Sequence, residues 1–446
     1  MKLWDKGYKT AAEVEAFTVG RDRDLDLLLA PWDIVGSMAH TRMLEKVGLL
    51  PKGLLRELYA ELRELYYQAE SGRLRIEAGV EDIHSQVELL LTKKLGDSGK
   101  MIHSGRSRND QVLVDLRLFY RDAIRQLVQQ LSALFDQLLE LGRKHQNVLL
   151  PGYTHFQVAM PSSFGLWFGA YAESLADDLL PLQAAYRLAD QNPLGSAAGY
   201  GSSFPLDRQY TTELLGFSQL NISAAYAQMA RGKVERALAA ALSSIGSTLN
   251  KLASDACLYL SQNFAFISFP DHLTTGSSIM PHKKNPDVFE LIRARTNQVQ
   301  ALPNEVALLS TNLPGGYHRD FQLFKEAIFP AIERVGDCLK MTRIMLAGME
   351  VKTGILSDPK YDYLFTVEKV NSLVLKGVPF RDAYKQVGEE IAAGTFTPDK
   401  TLNHSHLGSI GNPGFDEIRA KFEDHITPLD ASNWEMALYN LVEWKP

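Results

Sequence analysis

The sequence predicts a mainly α-helical protein built around a central bundle of long helices, and three observations carry that prediction. From Asp110 to Leu141 the chain contains neither glycine nor proline. Within that stretch Val112, Leu116, Phe119, Ala123, Leu127, Leu131, Leu134, Leu138 and Leu141 recur at steps of three or four, the period of a helix. Strand-like alternation of apolar and polar residues is scarce along the whole chain.

Taken in order, the helical patterns before Asn109 are short and broken at Gly48, Gly72 and Gly79, which sets apart an N-terminal helical domain, residues 1–108. The first long helix has Asn109 or Asp110 as its cap and Gly142 as its stop. At 1.5 Å per residue it spans roughly 45–50 Å, too long for a compact globule and suited to a bundle. An alanine-rich stretch from Ala224 to Ser261 follows, broken only by Gly232 and Gly246, where Ala237, Ala239, Ala240 and Ala241 let neighbouring helices approach closely. A third helix spans Asp287 to Asn312 with a kink expected at Pro303, and a fourth runs from Phe321 to about Val351 with Pro330 inside. These form a central domain, residues 109–354. After Gly354 the patterns shorten and Pro379, Pro398 and Pro413 accumulate, giving a small C-terminal helical domain, residues 355–446.

The 446 residues are 45% hydrophobic and 22% charged with a net charge of -6, which argues against nucleic-acid binding through bulk electrostatics. Cys257 and Cys338 lie in helical patterns without metal-ligand spacing and read as core thiols of a reducing compartment. The opening Met1-Lys2-Leu3-Trp4-Asp5-Lys6 has no apolar core of a signal peptide, and no uncharged run is long enough to span a membrane. The expected location is cytoplasmic.

The segment Gly276-Ser277-Ser278-Ile279-Met280-Pro281-His282-Lys283-Lys284-Asn285-Pro286-Asp287 concentrates the chemistry. Proline suits a first helical turn and Asp287 complements the positive helix end, so this is a loop feeding a helix N-terminus, a natural seat for a carboxylate. Each residue alone is ordinary loop material; the whole string is not. His103-Ser104-Gly105-Arg106-Ser107-Arg108-Asn109-Asp110-Gln111, ahead of the first long helix, offers free amides and guanidinium groups as an anion cradle, or else a capped helix start with solvated arginines. Gly152-Tyr153-Thr154-His155-Phe156-Gln157 is a turn carrying an imidazole. The glycine-rich Gly195–Ser203 lacks both a Gly-Lys-Ser/Thr ending and a preceding strand, so it is not read as a nucleotide loop. His404-Ser405-His406 has no third ligand at helical spacing and reads as surface chemistry.

These segments together resemble the argininosuccinate lyase branch of the fumarase/aspartase superfamily. The 276–287 string meets every fixed position of the superfamily pattern Gly-Ser-Ser-x-Met-Pro-x-Lys-x-Asn-Pro. The run from His103 to Gln111, Pro151-Gly-Tyr-Thr-His-Phe-Gln, Pro193-Leu-Gly-Ser, Glu81-Asp-Ile-His and Tyr317-His-Arg-Asp-Phe-Gln match the branch. The resemblance covers nearly the whole chain. It implies the three-domain fumarase/aspartase-like fold, a homotetramer whose central helices form a common bundle, and active sites shared between subunits. It also implies cleavage of the small-molecule substrate argininosuccinate to arginine and fumarate, with no cofactor and no metal. A long helix that is apolar on several sides, such as 110–141, is then expected to find its missing neighbours in other subunits.

By the same resemblance Ser277 is the catalytic base, with Lys283 stabilising negative charge, His155 a proton donor or a carboxylate anchor, and Glu290 a carboxylate that orients a histidine. Substrate contacts carried over by motif are Ser107, Asn109, Thr154, Asn285, Tyr317, Gln322 and Lys325, with His84 and Arg108 beside them. The chain departs from the branch in three places: Phe17-Thr-Val-Gly-Arg-Asp-Arg-Asp lacks the usual Asn-x-Ser, Ala230-Arg231-Gly232-Lys233 replaces a Ser-x-Arg-Asp segment, and Ser104 stands where threonine is common. Competing readings are another fumarate-releasing lyase, a non-catalytic crystallin-like homologue, and a helical nucleic-acid binder, the last opposed by the acidic balance.

Overall fold

The computed structural model describes residues 11–445; the Met1–Lys6 segment lies outside them. The chain begins with α1 (Ala12–Val19), α2 (Asp22–Lys46), α3 (Lys52–Glu70), α4 (Ile83–Leu95) and α5 (Asp97–Lys100). Then come α6 (Arg108–Lys144), the strands β1 (Leu149–Thr154) and β2 (Gln157–Ser163), and α7 (Phe164–Ala189). A connecting stretch holds β3 (Gln191–Asn192), α8 (Arg208–Leu214), β4 (Gln219–Leu220) and α9 (Ala224–Met229). The bundle is completed by α10 (Lys233–Leu260), β5 (Ile267–Ser268), α11 (Asp287–Leu309), α12 (Leu323–Ala347) and β6 (Glu350–Val351). The last part carries α13 (Thr366–Leu375), α14 (Phe380–Ala392), α15 (Phe415–Ile426) and α16 (Ser432–Val442). The strands form three two-stranded pieces: β1-β2 and β5-β6 antiparallel, β3-β4 parallel.

The core lies among α6, α7, α10, α11 and α12, and cross-contacts fix their directions. Phe119 meets Phe329 at 4.3 Å and Gln137 donates to the Arg343 carbonyl at 3.1 Å, so α6 and α12 run parallel. The Trp167 indole N–H donates to Asp255 at 2.9 Å, while Asp178 accepts from Thr248 at 2.7 Å and Ser244 at 2.5 Å, so α7 and α10 run antiparallel. Asn250 bonds to Arg293 and Asn297 at 3.0 Å, and Gly232 lies against Ser310, so α10 and α11 are also antiparallel. The bundle therefore has two well-defined ends. At one lie the N-termini of α6, α10 and α12; at the other lie the hairpin after α6, the C-terminus of α10 and the start of α11.

The long helices form where the apolar period predicts them, but their boundaries differ. Gly142 does not stop α6, which continues to Lys144 and contains 37 residues. A Cβ on Gly142 would come 2.8 Å from a ring carbon of Phe415, so this glycine admits close packing of α15. Gly232, at φ +85°, does break the alanine-rich stretch, whereas Gly246 stays inside α10 against α11. The N-terminal helices are shorter than α6 and are interrupted at Gly48, Gly72 and Gly79, although α2 reaches 25 residues by passing through Pro31 and Gly36, the latter facing Val114. The 26-residue α7 went unpredicted because Gly165, Gly169 and Pro181 interrupt its pattern. Both glycines make close packing contacts, Gly165 with Gln146 and Gly169 with Phe415.

One packing expectation is corrected. The apolar positions of α6 are covered by its own chain, through α2, α7 and α12. Among the long helices, α11 carries the most exposed large apolar residues, Leu291 at 58% and Leu308 at 64%. Cys338 is a buried free thiol, but Cys257 is only half-buried and lines a cleft below the 276–287 loop. His404 is partly buried, its Nε2 2.9 Å from Glu368, while His406 is exposed.

Candidate active site

At the first end of the bundle, α6 starts with a reciprocal cap. Ser107 Oγ accepts from the Asn109 amide at 3.3 Å, and the Ser107 amide donates to Asp110 Oδ1 at 2.8 Å. The other Asp110 oxygen accepts from the amides of Gly195 and Ala197, each at 2.9 Å. The glycine-rich segment thus wraps a helix start. Gly195 sits at φ +80°, and a Cβ there would come 2.8 Å from Arg208 Cγ. Burial pushes the Asp110 carboxyl up to about 6, against the pull of these donors and of Arg106.

Every basic predicted contact at this end already has partners. Arg108 lies 3.0 Å from Glu81 and 3.2 Å from Asp82, and donates to Ser85 Oγ at 3.1 Å. Gln322 donates to the carbonyls of Thr18 and Val19 at 3.1 Å, which fixes the segment that lacks the branch's Asn-x-Ser. Lys325 is buried with Nζ 2.6 Å from both Asp22 and Asp26. Burial disfavours its charge, but the two carboxylates outweigh that and hold its pKa above the ordinary value. Tyr317 is half-buried, edge-on to Phe321 with ring centroids 6.2 Å apart. Asn109 is half-buried at the first turn of α6. Arg231 is a tether: it pairs with Glu235 at 2.9 Å and donates to the Phe321 carbonyl at 2.8 Å. Its neighbour Lys233 is exposed.

His84 is buried, with Nδ1 2.7 Å from Asp33 and 3.5 Å from Asp115. These three are the group with metal-ligand chemistry among the described residues, their ligand-type atoms all within 4.8 Å of one another. Burial lowers the imidazole pKa, yet the charge and hydrogen bond of Asp33 and the charge of Asp115 raise it to about 10. A proton on Nδ1 therefore occupies the lone pair that a metal would need.

The opposite end is open. Thr275 and Asn285 pair across the neck of the loop, the Asn285 amide donating to the Thr275 carbonyl at 2.8 Å, and Asn285 Nδ2 donates to the Gly276 carbonyl at 3.2 Å. Thr275 Oγ1 also donates to Asp287, and Lys284 pairs with Asp271. Beyond that neck the loop projects outward, with Ile279 83% exposed. Ser277 Oγ accepts from the amides of Ile279 (3.3 Å) and Met280 (3.1 Å). Two N–H donors aimed at one hydroxyl oxygen favour negative charge on it. Lys283 is exposed and makes no ion pair among the described residues. Glu290, one turn into α11, is exposed and 3.9 Å from Arg293.

His155 belongs to the same end. Thr154 pairs with Gln157 across a two-residue hairpin turn in which His155 and Phe156 have φ +54° and +58°, as a type I′ turn requires. That conformation is strained for non-glycine residues and presents both side chains to solvent. The β-hairpin is anchored by Tyr153, edge-on to Phe264 at 5.6 Å, and by Gly152, where a Cβ would come 2.8 Å from the Met160 carbonyl.

One chain therefore does not bring its predicted site residues together. His84, Ser107, Arg108, Asn109, Tyr317, Gln322 and Lys325 gather at one end of the bundle; Thr154, His155, Ser277, Lys283, Asn285 and Glu290 gather at the other. The 37 residues of α6 put about 55 Å between them.

The lyase family model matches residues 10–301. An argininosuccinate lyase of Parabacteroides distasonis is 61% identical over 95% of both chains. One from Bacteroides fragilis is 56% identical over 98% of both. This chain belongs to the argininosuccinate lyase family. A solved EDDS lyase in complex with formate has the same fold, with a TM-score of 0.72 at 20% identity over 98% of this chain and 95% of that one.

For a member of the argininosuccinate lyase family, the sequence reading missed several residues with evident roles. The i,i+4 pair Asp22 and Asp26 was legible, since that spacing puts both carboxylates on one helix face. Arg319, which pairs with Glu81 at 3.3 Å and donates to the Thr18 carbonyl at 2.7 Å, lay inside a motif already noted. Asp33 and Asp115 had no local signal, because they meet His84 only through the packing of α2, α4 and α6.

Proposed function

We propose that this chain cleaves argininosuccinate to arginine and fumarate, the last step of arginine biosynthesis, by base-catalysed β-elimination as a carbon–nitrogen lyase. The observation that carries the reading is the 61% identity over 95% of the chain with a relative bearing that name. The loop geometry supports it. Elimination removes a weakly acidic proton beside a carboxylate and leaves a doubly negative aci-carboxylate. Ser277, whose oxygen faces two amide donors, is the base, and Lys283 and Asn285 supply preorganised positive charge and hydrogen bonding for the second charge. His155 serves the departing guanidine as proton donor or anchors a substrate carboxylate, with Glu290 as an orienting carboxylate. The end carrying Ser107, Arg108, Asn109, Tyr317, Gln322, Lys325 and His84 receives the rest of the substrate. No cofactor is needed for this chemistry.

Both ends must meet for turnover, and about 55 Å of α6 keeps them apart in one chain. We therefore propose a dihedral homotetramer in which antiparallel copies bring the loop end of one subunit to the cradle end of another. The exposed face of α11 supports it: Leu291, Ala294, Gln298, Ala301, Glu305 and Leu308 follow at alternating steps of three and four, the spacing of a helix–helix seam. The three domains are proposed at 1–108, 109–354 and 355–446. No helix among the described residues is long and apolar enough to cross a membrane, and the two free thiols fit the proposed cytoplasmic location.

The test is to incubate purified protein with argininosuccinate and follow fumarate absorbance, with adenylosuccinate as control. Fumarate released from argininosuccinate alone supports the reading. Release from adenylosuccinate alone would replace it with another lyase of the superfamily, and no release from either would favour a non-catalytic homologue.

A further inference from the structure

We infer that His84 is a positioning residue: buried and clamped between Asp33 and Asp115, it locks α2, α4 and α6 together and so holds the Arg108 cradle in register for substrate. This rests on the argininosuccinate cleavage proposed above and changes the role of His84 from contact to support.

The geometry is specific. His84 is the second residue of α4, 7% exposed, and reaches Asp33 of α2 at 2.7 Å and Asp115 of α6 at 3.5 Å. Asp33 Oδ2 and both Asp115 oxygens have no hydrogen-bond donor. Burial and the neighbouring Asp33 charge push the Asp115 carboxyl well above its ordinary range, and the buried Arg106 faces both groups as a second positive charge, so Asp33 is the carboxylate that holds the imidazole proton. The residues around His84 in sequence are those that hold the cradle. Glu81 pairs with Arg108 and Arg319, Asp82 pairs with Arg108 and caps α4 through the Ser85 amide at 2.8 Å, and Ser85 accepts from Arg108. The Ile83 amide donates to Asp26 at 3.3 Å, and Asp26 holds Lys325. A shift of the first turn of α4 therefore displaces Arg108, Arg319 and Lys325 together.

The charged groups facing His84 are Asp26 and Asp33 from α2, Asp82 and Glu88 from α4, Arg108 and Asp115 from α6, and His103 and Arg106 from the preceding loop. On the remaining neighbours, Glu61 of α3 is paired with Lys94 at 2.7 Å, and Asp97 of α5 with Lys100 at 2.7 Å. Carboxylates outweigh burial and keep the imidazole charged until pH approaches about 10. Substrate binding should follow that charge, while the bond-breaking step, run by groups of the other end, should not.

The experiment measures kcat and KM separately from pH 6.5 to 10 for wild type, His84→Gln and Asp33→Asn. Wild-type turnover of argininosuccinate tests the underlying reading before any variant is compared. With that in hand, His84→Gln should raise KM at neutral pH by about tenfold or more with kcat little changed, because the cradle loses register while the base is untouched. Asp33→Asn removes the charge that faces the imidazole at 2.7 Å, so the alkaline rise of KM should move to lower pH by about one unit or more. Asparagine keeps the shape and one acceptor oxygen for the imidazole N–H, so Asp33→Asn tests the clamp even where His84→Gln fails to fold. A loss confined to kcat in His84→Gln overturns the proposal. So does an alkaline limb that stays put in Asp33→Asn, which would assign it to Lys283 or another group.

Discussion

The two ends of the bundle handle charge in opposite ways. At the cradle end Arg108, Arg319, Lys325 and His84 are each matched to one or two carboxylates, and most of those carboxylates are buried or half-buried. At the loop end Lys283, His155 and Glu290 are exposed, and Phe156 and Ile279 stand 84% and 83% in solvent. The first end is finished within one chain; the second is not. An exposed, strained hairpin at the same end as a projecting loop leaves room for the neighbouring surface that the proposed tetramer supplies. The difference teaches that the charges of the cradle end find their partners within one chain, whereas the loop end leaves its groups open; the tetramer proposed above would supply what surrounds them.

The largest effect is expected at the loop end. Ser277→Ala deletes the oxygen on which two amides converge, and kcat should fall by roughly 10²–10⁴-fold with KM largely kept. Ser278→Ala should be milder; stopped assays on the two variants that gave the reverse order would move the base to Ser278.

Lys283→Met is next. On the proposed mechanism it removes a charge that faces both the ground-state carboxylate and the greater charge of the transition state, so KM should rise and kcat should fall further, by about tenfold or more. Lys284 is already paired with Asp271 at the base of the loop, and Lys284→Met should cost much less. Steady-state kinetics showing the larger loss at Lys284 would put the functional charge on the wrong residue here.

At the cradle end the expected effect is on stability. His84 has a folded pKa of about 10 against an ordinary 6.5. Its stabilising contribution is therefore complete below pH 6.5 and lost as pH rises toward 10. Urea midpoints should decline across that window in wild type and much less in His84→Gln; parallel declines would mean that the clamp carries no charge.

The unequal legibility of the two ends has a physical cause. The loop and hairpin are continuous in sequence, so Ser277, Lys283 and His155 stood out as strings. The helices α6, α10, α11 and α12 were legible because their apolar period extends over many turns. Gly142 misled because a glycine that admits Phe415 looks like one that ends a helix. The short β5-β6 pairing, Ile267 with Val351 and Ser268 with Glu350, joins segments far apart in the chain and leaves no local trace. The same holds for Asp33, His84 and Asp115, and for the separation of the two ends, which follows from helix direction rather than from any motif.

That separation is the central claim, and subunit complementation tests it most directly. Asn109→Ala chains, defective at the cradle, are mixed one to one with Ser277→Ala chains, defective at the loop, then unfolded and refolded together. If each site joins opposite ends of different chains, about a quarter of the sites in random hybrids should contain both native residues, and activity should recover to that order. A refolded tetramer no more active than the two parents separately would contradict a site shared between subunits.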